Sequence, residues 1–330
     1  MIRVAVDAMG GDRAPDEIVA GAVAARSGDV QPILVGPKGL DTQGLDLVEA
    51  SSVVAMDDKP RDAVREKRDS SLFVACKLVG EGRADAVVSA GNTGAMLAAG
   101  LVEIRRLPGV LRPGIAVVIP TQRGPSVLID SGANADARPE HLVQFAHMGA
   151  EFARDVLGVE RPEVRLLSIG EEPEKGNELT LAAHELLRDA DLDFRGNVES
   201  RELLRGAADV VVTDGFTGNV ALKLLEGTIK TVLDALRDEI RSSRRGKLGG
   251  LLIRPAARGL RDRLDPDTYG GAYLLGLRGL VVIAHGNSSR RAIANAVRLA
   301  AVGVERGVVE RVSRRMVGSA RPKVPEPQAR

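Results

Sequence analysis

The sequence predicts a layered α/β protein built on a mostly parallel sheet. Three observations carry that expectation. Short β-branched runs bounded by Gly, Pro or Asp recur, the segments between them repeat apolar residues at three and four, and the two kinds alternate with neither an internal repeat nor a Ser/Pro linker. The 330 residues are 44% hydrophobic and 28% charged, enough for one large domain, and residues 1–317 read as a single unit.

Taken in order, strand 2–6 runs into Asp7-Ala8-Met9-Gly10-Gly11-Asp12, and Ala14-Pro15 opens a helix over 16–25. Gly10 and Gly11 let backbone amides approach an anion, and the helix N-terminus adds a favourable dipole; a tight βα turn would use the same glycines. Asp7 would repel a bare phosphate, so as a binding candidate it orients donors. Strand 32–35 follows, then a helix over 70–81 whose Leu72, Ala75 and Val79 place Cys76 in the core. Strand 86–88 ends in Ser89-Ala90-Gly91-Asn92-Thr93-Gly94-Ala95 before a Leu/Ala-rich helix. Small residues with two hydrogen-bonding side chains at such a junction suit an oxyanion or phosphate cradle, with Asn92, Thr93 and Gly94 as its candidates.

Strands 115–119 and 126–129 come next, and Asp130-Ser131-Gly132-Ala133-Asn134 repeats that chemistry, adding Asn134. After a helix over 139–157 and strand 164–169, the run Gly170-Glu171-Glu172-Pro173-Glu174-Lys175-Gly176-Asn177 sets one lysine among acids. It reads either as a phosphate-attracting ammonium or as a solvated turn. A helix over 178–189 and strand 210–212 lead to Thr213-Asp214-Gly215-Phe216-Thr217-Gly218-Asn219 and a helix over 219–241, with Lys223 one turn beyond Asn219 on the same face. Strand 280–283 ends at His285-Gly286-Asn287-Ser288-Ser289 before a helix over 288–314. His285 therefore sits in a strand-end loop where an acid, base or donor is usable, whereas His141, His147 and His184 fall in helical segments and read as structural.

Composition narrows the function classes. Forty-six Lys and Arg oppose 45 Asp and Glu, no Trp occurs, and there are only five Phe and two Tyr, so neither a global basic field nor base-stacking platforms advertise nucleic acid. One cysteine and four scattered histidines make no zinc pattern, and no Walker motif, GxGxxG fingerprint or carboxylate cluster calls for a nucleotide cofactor or metal. The N-terminus lacks signal-peptide features, which leads us to expect a cytoplasmic protein. Residues 241–263 hold eight basic residues and one acid interleaved with Leu and Ile. That basic amphipathic composition, extended to 264, suits an anionic membrane surface, an acidic protein partner or a dimer-interface helix. Residues 318–330 are Pro-rich and polar, the composition of a flexible tail.

Seven motifs in order, MGGDRAP (9–15), SAGNTGA (89–95), DSGAN (130–134), GEEPEKGN (170–177), DGFTGNVALK (214–223), YGGAYLLG (269–276) and HGNSS (285–289), closely resemble the bacterial phosphate acyltransferase family PlsX. The resemblance runs from residue 2 to about 315. Ser168 stands where that family often has Asn, and Tyr273 where YGGAPLLG is common; neither reads as touching a reacting group.

The resemblance implies a homodimeric three-layer α/β/α sandwich related to isocitrate and isopropylmalate dehydrogenases and to phosphotransacetylase. It also implies transfer of a fatty acyl group from acyl carrier protein to orthophosphate, for a downstream acyl-phosphate glycerol-3-phosphate acyltransferase, on a protein peripherally bound to membrane near 241–264. Direct attack of phosphate on a thioester needs no Ser-His-Asp or Cys-His arrangement, only positioning and pre-aimed donors. We therefore assign Lys175 and Asn219 to the reacting centre and His285 to proton delivery, with Asp7, Gly10, Gly11, Asn92, Thr93, Gly94, Asn134, Gly218 and Lys223 around the substrate. A phosphotransacetylase using coenzyme A and a non-catalytic lipid-binding scaffold are the alternatives.

Overall fold

The computed structural model describes residues 1–264 and 270–319. Eleven strands form one sheet in the order β3-β2-β1-β4-β11-β10-β5-β6-β9-β7-β8. They are β1 (Ile2–Asp7), β2 (Val30–Gly36), β3 (Asp46–Glu49), β4 (Ala86–Ser89), β5 (Gly114–Thr121), β6 (Gly124–Ile129), β7 (Glu163–Ser168), β8 (Asp193–Glu199), β9 (Val210–Val212), β10 (Ala272–Leu275) and β11 (Leu280–Ile283). The helices are α1 (Asp16–Ala25), α2 (Pro60–Glu66), α3 (Ser71–Gly80), α4 (Thr93–Ala99), α5 (Pro139–Phe152), α6 (Glu178–Arg188), α7 (Gly215–Ser242), α8 (Arg244–Leu264), α9 (Arg290–Glu305) and α10 (Val308–Ser319).

Strand periodicity builds the three layers. Val4, Val6, Val88, Val127, Val210 and Val282 point to one face, where Ile18, Phe145 and Ile293 of α1, α5 and α9 pack on them. Their neighbours Ala5, Val87 and Val281 point the other way, against Leu72, Cys76 and Met96 of α3 and α4. Over the other half of that second face, Leu128 and Val211 pack with Leu203 and with Leu222 of α7. Strands covered on both faces read as continuous apolar runs, which is why they were legible. The expected helix over 288–314 is two helices, broken at Gly307 with φ +64°. The strands β3, β8 and β10 carry no strand expectation from the sequence; β3 and β8 carry Asp and Glu and lie at the sheet edges, so they lack the apolar signature.

Pairing is parallel except at β11–β10, β10–β5 and β5–β6. Strands β3 to β11 therefore run one way and β6 to β8 the opposite way. Tyr273 pairs with both Val282 and Ala116, and Ala116 pairs with Ile129. The last residues of β11 and β6 thus stand within one residue of the same level, three strand spacings or about 14 Å apart. The loops leaving the two half-sheets start at one level but leave in opposite directions. Helix α7 connects them. From Gly215 at the end of β9 to Glu226, which touches His285 beyond β11, it covers about 16 Å, close to the roughly 19 Å of four strand spacings.

Candidate active site

In the first half-sheet three loops are sewn together. Asp7 is buried; its Oδ2 accepts from Ser89 Oγ at 2.7 Å, and Ser89 Oγ accepts from Gly91 N at 3.0 Å. Asp12 N donates to Gly286 O at 2.7 Å. A Cβ on Gly10 would lie 2.4 Å from Asp7 Oδ2, and one on Gly11, at φ +101°, would lie 2.9 Å from Gly286 O. The glycine pair is therefore required by close loop-to-loop packing. Burial pushes the Asp7 carboxyl up from its ordinary value. Asp7 lies beneath the turn and supports it.

Asn92 is similarly committed. It caps α4 through Oδ1, 3.0 Å from Ala95 N, and its Nδ2 donates to Met56 O at 2.9 Å and Asp58 O at 3.0 Å. Gly94 abuts Pro60, whose Cγ would be 2.7 Å from a Cβ there. Thr93 is exposed in the first turn, and its hydroxyl has no partner among the described residues.

In the second half-sheet Asp130 is the hub. It is fully buried and accepts from the backbone N–H groups of Ile115, Gly132, Ala133 and Asn134, and from Asn134 Nδ2 at 2.8 Å. Burial pushes its carboxyl up, and the five N–H donors oppose that. Asn134 is buried, donates also to Pro113 O at 2.7 Å, and accepts from Gly215 N at 2.8 Å through its carbonyl. With its side-chain N–H groups directed to protein acceptors, Asn134 holds the loop together. Gly218 permits α7 to start here, because a Cβ would lie 1.9 Å from Asp130 O. Asp214 caps the helix, accepting from Thr217 N at 2.9 Å.

Asn219 differs from the other two candidate asparagines, Asn92 and Asn134. It sits over Gly132, whose Cβ position is 3.7 Å from Asn219 Cγ, half-buried and with its amide unpaired among the described residues. Lys223 is exposed one turn further on. Lys175 lies at the end of the neighbouring strand β7, its backbone pinned by Ser168 Oγ donating to Lys175 O at 2.8 Å while its ammonium makes no ion pair among the described residues. Ser168 therefore shapes the Lys175 loop, a role its sequence reading missed. Lys175, in the loop after β7, and Asn219, in the first turns of α7 after β9, lie beyond adjacent strands without touching. His285 is exposed beyond β11, its Nε2 3.3 Å from Glu226 Oε1.

A family model described as a fatty acid synthesis protein matches residues 2–311. The phosphate acyltransferase of Heliobacterium modesticaldum is 47% identical over 333 residues, covering 97% of this chain and 99% of that protein. The phosphate acyltransferase of Pseudothermotoga lettingae is 49% identical over 318 residues, covering 94% and 96%. The chain belongs to the phosphate acyltransferase family. Among solved structures, a phosphotransacetylase from Streptococcus pyogenes superposes with a TM-score of 0.62 at 18% identity, covering 92% of this chain and 94% of that one. A branched-chain phosphotransacylase from Enterococcus faecalis gives 0.59 at 19%, over 92% and 99%. At that identity the likeness shows the shared α/β fold.

Within this phosphate acyltransferase the candidates divide by commitment. Asp7, Asn92 and Asn134 are held by the protein's own groups, whereas Thr93, Asn219, Lys223 and Lys175 present polar atoms free among the described residues. The three remaining histidines are structural. Burial, reinforced by Arg315, holds His147 down to about 4, His184 Nδ1 lies 2.9 Å from Asn197 Oδ1, and His141 closes a capping box on α5. Cys76 is buried, and burial pushes its thiol up. Tyr273 is a core residue, its hydroxyl donating to Leu299 O and its ring edge-on to Phe152. Tyr269 of the sixth motif lies outside the described residues, as do 320–330 of the expected tail. Glu226 was missed: it carries no motif, and its contact with His285 arises only through the path of α7.

Proposed function

We propose that this phosphate acyltransferase moves a fatty acyl group from an acyl carrier protein thioester to orthophosphate by direct attack. A phosphate oxygen adds to the thioester carbonyl carbon, the C–S bond breaks with its electron pair on sulfur, and the thiolate leaves to take up a proton. Products are acyl phosphate and free carrier protein. The observation that carries this reading is the Asn219 amide, unpaired among the described residues in the first turns of α7 above Gly132, with Lys223 exposed one turn further on and Lys175 in the loop beyond the adjacent strand β7. Asn219 donates to the oxyanion, Lys175 attracts phosphate, and His285 supplies the proton. Thr93 and Lys223 line the substrate.

The helical pair α7–α8 supports the partner assignments. Of the residues 226–261 none is buried, and Leu248, Leu251 and Leu252 stand 66%, 63% and 78% exposed among arginines. Such a projection suits a homodimer contact and peripheral attachment of a cytoplasmic protein to anionic membrane, while its cations suit the acidic carrier protein. No helix of the described residues is long and apolar enough to cross a membrane.

The deciding experiment measures free thiol released from a long-chain acyl carrier protein, with and without orthophosphate, and assays acyl phosphate. Phosphate-dependent release with stoichiometric acyl phosphate is expected. Turnover on acyl-coenzyme A alone would favour the phosphotransacetylase reading. No release from either donor would leave a lipid-binding scaffold.

A further inference from the structure

We infer that Glu226 is a positioning residue that holds His285 against the reacting face of α7. The inference rests on the acyl-transfer reading for its function and on geometry for the contact. Asn219, Lys223 and Glu226 fall at i, i+4 and i+7, so one helix face carries all three. Asn219 touches the Gly132 loop of the second half-sheet at one end of that face, and Glu226 meets His285 of the first half-sheet at the other.

Both partners are rooted in rigid surroundings. Helix α7 is anchored by the Asp214 cap and by Gly218 against Asp130 O. The His285 loop is anchored by Asp12 N donating to Gly286 O at 2.7 Å and Ser288 N donating to His285 O at 3.0 Å. The side chains themselves are only partly covered, 24% exposed for Glu226 and 43% for His285. An imidazole that exposed samples several rotamers unless a partner selects one. The carboxylate on α7, 3.3 Å from Nε2, favours the rotamer that keeps the ring on the same face as Asn219, and it ties together two half-sheets whose loops leave in opposite directions. Glu226 thereby sets where His285 stands relative to the thioester without itself touching substrate.

A double-mutant cycle on the full-length protein tests this. Glu226→Ala is expected to lower kcat about tenfold with KM for the carrier protein within about twofold of wild type, because misplacing a proton donor costs rate rather than binding. In a His285→Gln background the same change is expected to cost less than about twofold, the signature of coupled residues. Glu226→Gln, which keeps an acceptor at the same place, is expected to restore activity to within about threefold of wild type. An equal loss from Glu226→Ala in both backgrounds would overturn the proposal. Should wild type show no phosphate-dependent thiol release, the acyl-transfer reading fails, and the contact is then judged by the imidazole ¹⁵N shifts of His285. Shifts that move in Glu226→Ala support the pairing, and shifts that stay put overturn it.

Discussion

The loop at 130–134 and the start of α7 at 214–223 lie side by side, and both offer an asparagine among glycines. Asn134 is buried with its amide spent on Pro113 O and Asp130, whereas Asn219, over Gly132, has its amide unpaired among the described residues. The histidines differ in burial: His147 is buried against Arg315, and His285 stands exposed beside Glu226. The two asparagines are the same residue type in adjoining places, and among the described residues they differ in whether the side-chain amide is already spent on the protein's own acceptors.

Three substitutions put the contrast at risk. Asn219→Ala carries the largest expected effect, a loss of about 10²–10³ in kcat with the melting temperature unchanged, as for removal of an oxyanion donor. Near-wild-type turnover would dissolve the distinction between the two asparagines.

His147 comes next, through pH. The folded protein keeps it neutral down to about 4, whereas the unfolded chain titrates it near 6.5, so between those values the unfolded state binds more protons. Its contribution is whole above about pH 6.5 and is lost as pH falls toward 4, a span worth roughly 3 kcal/mol. Denaturation at pH 7 and pH 4.5 should show a smaller acid loss in His147→Gln than in wild type; identical losses would mean that His147 is not the group responsible.

Asn134→Ala is the mildest. It strips a donor from Pro113 O and from Asp130, which should destabilise the protein by about 1–3 kcal/mol while leaving kcat of the folded fraction unchanged. A hundredfold fall in kcat at constant stability would instead make Asn134 a ligand contact.

Much of the fold is legible in the sequence. The strands at 86–88, 126–129 and 210–212 were legible because β-branched runs covered on both faces have no polar alternation to obscure them. The glycines were legible as sites of close approach, but not what they approach: Gly10 meets Asp7 and Gly91, and Gly218 meets Asp130 O. Ser168 was set aside as remote from chemistry, yet its hydroxyl holds the Lys175 loop, a contact made across seven residues by a turn that composition does not specify.

The sequence by itself determined the α/β alternation, the polar residue types at the strand ends and the membership in a phosphate acyltransferase family, because local periodicity and ordered motifs are properties of neighbours along the chain. Only the tertiary structure decided that the half-sheets run in opposite directions about β10 and β5, that Asn92 and Asn134 are spent while Asn219 has no partner among the described residues, and that Glu226 reaches His285. A hydrogen bond forms when groups distant in sequence arrive within about 3 Å of each other, and that arrival depends on strand order and helix path rather than on any residue's neighbours.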